Sequence, residues 1–254
     1  MPVKPFSVAS VSLAALAVLL AAAPAARSKE SLNFSTPFEV SDNPAGNYLS
    51  ALIAGADHDT VAAATFFREA LRFDPKNPQL IERAFVAALS NGNMLDAFTL
   101  ADRLVARDPN NGLAHLALGA KAMHAHNWSA AREQFAMGGP AQSRDITATL
   151  LTAWSWAGAG DERKALETCD RLRDDNFAVF RDFHAGLIAD EMGDKAEAGR
   201  RFAAAYAGDK NTLRLIDAYG RYLSRKGDKE GALKVYGDFD AILPNHPIIN
   251  AAVA

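Results

Sequence analysis

The chain has 254 residues, 49% of them apolar and 22% charged, an ordinary globular composition that excludes disorder as the bulk state. A formal net charge of -3 gives no basic footprint for nucleic acid, so neither DNA nor RNA is an expected partner. The one cysteine, Cys169, excludes an internal disulfide and a cysteine-rich metal site.

Residues 1–26 carry Lys4, an apolar run from Val8 to Ala23, and the small-residue string Ala21-Ala22-Ala23-Pro24-Ala25-Ala26 ahead of Arg27. This is the build of a secretory signal peptide, with Ala23-Pro24-Ala25 fitting the small-x-small cleavage rule. The run is shorter than the roughly 20 residues that span a bilayer comfortably. Removal near Ala25, an exported mature chain without a membrane span, and a periplasmic location in a Gram-negative source are the expectations. Residues 27–43, rich in serine and without helical period, read as a flexible linker.

From Pro44 onward one pattern returns. Gly160-Asp161-Glu162-Arg163-Lys164-Ala165 recurs as Gly193-Asp194-Lys195-Ala196-Glu197-Ala198 and as Gly227-Asp228-Lys229-Glu230-Gly231-Ala232. Gly92-Asn93 and His126-Asn127 open variants of the same turn. The alanine closing each copy stands at Ala63, Ala97, Ala131, Ala165, Ala198 and Ala232, at intervals of 34, 34, 34, 33 and 34 residues. A fixed period of this size marks a stacked-repeat architecture, in which each unit buries its apolar face only against its neighbours.

Each unit reads as two helices joined by the turn. In the unit opened by Pro78, residues Ile81, Ala84, Phe85 and Ala88 lie on one helical face, and Gly92 ends that helix. Ala97, Ala101 and Leu104 repeat the face in a second helix, which Asp108-Pro109 closes. Asn43-Pro44 and Asn77-Pro78 pair an N-cap with proline at the first helical position, and Pro247 stands in the same register. The units fall at 44–77, 78–111, 112–145, 146–178, 179–212 and 213–246, with 247–254 opening an incomplete seventh. Ile248, Ile249 and Val253 there are expected to offer apolar side chains to an absent partner, and the expectation is fraying, self-association or a longer parent protein.

These phased residues resemble the tetratricopeptide repeat. Leu118-Gly119, Ala185-Gly186 and Tyr219-Gly220 match that family's seventh and eighth positions; Phe67, Phe135, Phe202 and Tyr236 match its twenty-fourth; Ala70 and Ala205 match its twenty-seventh, and Pro75, Pro109 and Pro244 its thirty-second. Three departures stand out: His58 at the first turn, Cys169 at the aromatic position of the fourth unit, and Gly138 in place of alanine in the third unit. The resemblance implies an all-α, right-handed solenoid of about six helix-turn-helix repeats plus the truncated seventh.

It also implies a concave groove lined by the first helix of each unit, through positions two, five, nine, twelve and thirteen. Mapped residue by residue, Tyr48, Leu116, Leu150, Trp154, Phe183 and Leu187 become an apolar floor. Glu82, Asp190 and Glu191 add acid, and Arg214, Asp217, Arg221 and Arg225 make the last unit mixed and mostly basic. Tyr48 and Leu52 stand where the lysine and asparagine of a carboxylate clamp would be, so a chaperone-tail receptor is not expected.

No catalytic or metal constellation emerges. Cys169 reads as an inert packed thiol. His124 and His126 sit two apart, on different helix faces, and cannot share an ion. Gly158-Ala159-Gly160 follows a helix and not the strand a phosphate loop needs, and Asn127-Trp128-Ser129 reads as turn packing ahead of glycosylation. The expectation is a non-enzymatic scaffold, without cofactor or metal, binding peptides or proteins in envelope assembly or secretion. The alternative is a regulatory repeat region of a larger enzyme, such as a glycosyltransferase.

Overall fold

The computed structural model describes residues 40–138 and 145–253. The signal-peptide reading of 1–26, and the linker reading up to residue 39, lie outside the described residues. Within them the secondary structure is helical, with no strand. The helices pair along the chain: α1 (Pro44–Ala56) with α2 (Thr60–Phe73), α3 (Pro78–Ser90) with α4 (Met94–Val105), and α5 (Gly112–His124) with α6 (Trp128–Ala136). Then come α7 (Ile146–Gly158) with α8 (Glu162–Cys169), α9 (Ala178–Met192) with α10 (Lys195–Gly208), α11 (Leu213–Lys226) with α12 (Lys229–Asp240), and a lone α13 (Pro247–Val253).

The repeated turn has two jobs, and its residues divide them. One residue must reverse the chain with left-handed backbone angles, and glycine does so without steric cost, as at Gly92 with φ 73°. His58 (φ 59°) and His126 (φ 56°) hold the same place in the first and third units, so the reversal survives without glycine. The next polar residue caps the second helix: Asp59, Asn93, Asn127, Asp161, Asp194 and Asp228 each accept from the backbone N–H three residues on. Asn43, Asn77, Asn111 and Asp145 cap first helices in the same way.

Every helix packs on its neighbours in sequence, as a one-dimensional stack requires. The six phased alanines are all buried, from 0% to 5% exposed, which lets paired backbones approach closely. Inside each pair a first-helix position and a second-helix position trade volume. Gly119 faces Phe135, Gly186 faces Phe202 and Gly220 faces Tyr236, and a Cβ on any of the three glycines would come within 3 Å of the ring. The second unit reverses the choice with Phe85 and Ala101, and the fourth takes intermediate sizes, Ala153 and Cys169; all four are buried. The first unit keeps its aromatic, Phe67, opposite Ala51, so alanine at the first-helix position does not by itself exclude a ring.

One unit is irregular, and one expectation changes. The fourth unit's second helix is only eight residues long, and a 3-10 turn at Asp175–Phe177 leads into α9. Ile249, expected to be open to a partner, is 2% exposed and packs in the core with Phe239 and Tyr236, because its place on α13 faces back onto the preceding pair. Ile248 and Val253 are exposed.

Candidate functional site

The first-helix face, which the resemblance marks as the groove, has three regions. At its start a cleft of about 630 Å³ lies between α1, α2 and α3. Leu52, Val86, Ala87 and Phe67 give it apolar walls, with Glu82, Arg83 and Ser90 on α3. It exists because α1 is small-sided here: a Cβ on Gly55 would meet nothing within 4 Å. Tyr48 is half-buried, edge-on to Phe67 at 6.1 Å, with the Arg83 guanidinium 5.8 Å from its ring centroid.

The middle carries the aromatic floor. Trp154 of α7 donates its indole N–H to His184 Nδ1 of α9 at 2.9 Å, which ties two adjacent first helices together. Phe183 lies 5.5 Å from the His184 ring and 6.5 Å from Phe202, and Phe202 stacks on Tyr219 at 6.0 Å. Burial pushes the His184 imidazole below its ordinary pKa, so it is neutral near pH 7 and Nδ1 is free to accept. Trp154, Phe183 and Leu187 are all half-buried, open on one side and supported on the other.

At the far end Arg221 donates through Nε to Asp217 Oδ1 at 2.7 Å, and Arg225 pairs with Asp190 across α9 and α11. A cleft of about 590 Å³ opens beside them between α11, α12 and α13.

The sequence-named residues therefore separate. Trp154, Phe183 and Leu187 come together, and so do Asp190, Asp217, Arg221 and Arg225. Tyr48 and Glu82 belong to the first region, and Leu116 is half-buried on α5. Leu150 is 8% exposed inside the α7–α9 core, so it supports the floor from beneath. Arg214 is exposed and forms no ion pair among the described residues. Sequence reasoning passed over Val86 (44% exposed) and Phe180 (52% exposed), although both stand at groove positions. It also passed over His184, whose role depends on a partner 30 residues away.

Behind the face, Arg201 is 8% exposed and binds Asp182 at 2.8 Å, Asp170 at 2.7 Å and Glu197 at 2.8 Å, joining α8, α9 and α10. Cys169 nearby is fully buried, and burial pushes its thiol up to about 12, so it has no thiolate character at neutral pH.

The chain has the tetratricopeptide-repeat fold. It is similar to a tetratricopeptide repeat protein from Parabacteroides merdae (TM-score 0.62, 17% identity, 83% of each chain covered). It is similar also to PilW, described as a widely conserved type IV pilus biogenesis factor (TM-score 0.65, 13% identity, 85% of this chain and 100% of that one). A third likeness is to Pseudomonas aeruginosa pilF (TM-score 0.55, 13% identity, 82% of this chain and 95% of that one). No protein-family model and no curated protein matches the sequence. Among the described residues no helix is long and apolar enough to cross a membrane.

Proposed function

We propose that this chain is a non-enzymatic protein–protein interaction scaffold that takes a peptide or a segment of a partner protein along its first-helix face. The observation that carries the reading is the Trp154–His184–Phe183 floor. Two large aromatics are held rigidly by a hydrogen bond and by Phe202, yet are left open on the groove side. Aromatic side chains that cost little entropy to order are the ones that dominate interface energetics. The signal-like amino terminus and the fold shared with a pilus biogenesis factor favour an exported setting, in envelope assembly or secretion. Amino-terminal sequencing of the exported protein is expected to begin near Ala26, and a start at Met1 would remove that setting.

The binding test is capture from an envelope extract, followed by titration of the captured partner. Trp154→Ala and Phe183→Ala are each expected to cost about 2 kcal/mol of binding if they anchor it. Unchanged affinity in both, with the fold intact, would place the site elsewhere.

A further inference from the structure

The end of the groove carries chemistry that the aromatic floor lacks. Its cleft is lined by Arg221, Ser224 and Arg225 of α11, Tyr236 of α12, and Ile248 with Ala251 on α13. Arg221 spends only Nε on Asp217, which leaves both terminal nitrogens, and Arg225 pairs with Asp190 through one terminal nitrogen. Tyr236 is 3% exposed, and its ring fits beneath Gly220, where a Cβ would come 2.3 Å from Cζ. Among the described residues its hydroxyl has no hydrogen-bond partner, and it is not one of the side-chain oxygens shut off from solvent, so it is open to a ligand in the cleft that Tyr236 lines. The Ser224 hydroxyl is already committed to the Gly220 carbonyl at 2.9 Å.

We propose that this cleft is a carboxylate site, taking an Asp or Glu side chain of the segment that the groove binds; the inference rests on the groove reading above. The free groups are all donors: guanidinium nitrogens able to grip a carboxylate in parallel, and a phenol. Burial holds the phenol's pKa above its ordinary value, which keeps its proton available to donate. Asp217 and Asp190 hold the two guanidinium groups in place, so less ordering remains to be done on binding. The same two carboxylates cancel the net charge and disfavour a dianion, which selects a carboxylate over a phosphate. Ile248 and Ala251 give the site an apolar wall, against which directional hydrogen bonds are stronger than in water.

The test needs no partner. N-acetylglutamate α-amide is titrated into the full chain, and the arginine Nε–H and Tyr236 ring signals are followed by NMR. The controls are N-acetylglutamine amide, sodium chloride at matched ionic strength, and inorganic phosphate. A saturable response at Arg221, Arg225 and Tyr236 to the glutamate compound alone is expected. Arg221→Gln should weaken it roughly tenfold and Tyr236→Phe roughly threefold, the charged donor counting for more than the neutral one. Tyr236→Phe keeps the ring under Gly220, so its circular dichroism and Tm should match the parent, and it remains informative if Arg221→Gln folds poorly. No response, an equal response to chloride, or tighter phosphate binding overturns the site. None of those outcomes touches the Trp154 and Phe183 test, and failure of that test leaves this titration readable.

Discussion

The junction of the first two units and the junction of the fifth and sixth solve one packing problem with different proportions of alanine and aromatic side chains. From α1 to α3 alanine is the commonest buried residue, as at Ala51, Ala54, Ala63, Ala84, Ala87 and Ala88, beside the larger Phe67, Ile81 and Phe85. From α9 to α12 the alanines are joined by more rings: Phe202, Tyr222, Tyr236 and Phe239 are buried, with Phe183, Tyr206 and Tyr219 packed against them. Small side chains let the backbones approach but leave a cleft beside Gly55, whereas rings fill the space and also offer polar edges to fasten. Tyr206 donates to Asp238 at 2.5 Å and Tyr222 to the Lys195 carbonyl at 2.5 Å, and the Arg201 cluster ties on the preceding unit. The period fixes where helices cross. Side-chain volume decides whether the crossing is a recess or a floor.

The sharpest way to break this contrast is at Arg201. Replacing it with methionine leaves Asp182 buried without one of its two guanidinium partners, and losing one partner of a buried pair costs about 3 kcal/mol. At the other end the Arg68–Asp96 pair, 3.3 Å apart and 53% and 44% exposed, should yield under about 1 kcal/mol when Arg68 is made methionine. Urea denaturation of both variants checks this, and equal losses would deny the polar fastening a special place. Acid should find the same weak point. Burial raises the Asp182 carboxyl, but hydrogen bonds from Arg181 and Arg201 outweigh it and hold it below 3.8; hydrogen bonds from Arg200 and Arg201 hold Glu197 below 4.5. Both contributions are complete above those unfolded values and are lost as pH falls through the depressed folded ones.

A smaller loss is expected where glycine makes room for a ring. At Gly119 a Cβ would sit 2.1 Å from Phe135 Cε1, inside a buried pair that cannot relax outward. Gly119→Ala should cost about 2 kcal/mol by overpacking, read as a lower urea midpoint at unchanged slope.

The helix pairs, their caps and the six closing alanines were legible in the sequence because each depends on residues at fixed spacing. The groove was legible only as a set of positions. Leu150 and Trp154 are four apart on one helix, yet one is core and the other floor, because α9 leans over the first and leaves one edge of the second open. Ile249 was misread because α13 packs its inner face on α11 and α12, a contact no period announces. His184 was passed over, and Tyr236 was read only as a packing aromatic, for a related reason. Their significance is a relation to a side chain 30 residues away, or to an empty cleft.

The Trp154–His184 hydrogen bond gives the next prediction, and it bears on the floor alone. The indole can only donate, so the bond requires an unprotonated Nδ1. Burial lowers the folded pKa below 6.5, so the bond's contribution to stability is complete above 6.5 and declines as pH falls from there through the folded value. Tryptophan fluorescence should change over that window and partner affinity should weaken with it. His184→Gln should abolish the pH step; a step that persists in the variant would assign it to another group.

The smallest effect tests whether the recess at the first junction is truly empty. Gly55 and Gly160 would each receive a Cβ with nothing inside 4 Å, so contacts alone forecast the same outcome for both alanine variants. Their backbones differ. Gly160 holds φ 81° at a turn, where a side chain is strained, while Gly55 lies within α1 at no such angle. Gly55→Ala should therefore stabilise by about 0.5 kcal/mol, through better helix propensity and a less flexible unfolded chain. Gly160→Ala should destabilise by about 1 kcal/mol, the cost of the left-handed conformation. Thermal melts of the pair decide it. A loss at Gly55 would mean that the α1–α3 recess is occupied in solution, by solvent held in place or by another part of the chain, and that the alanine-packed end is as full as the aromatic one.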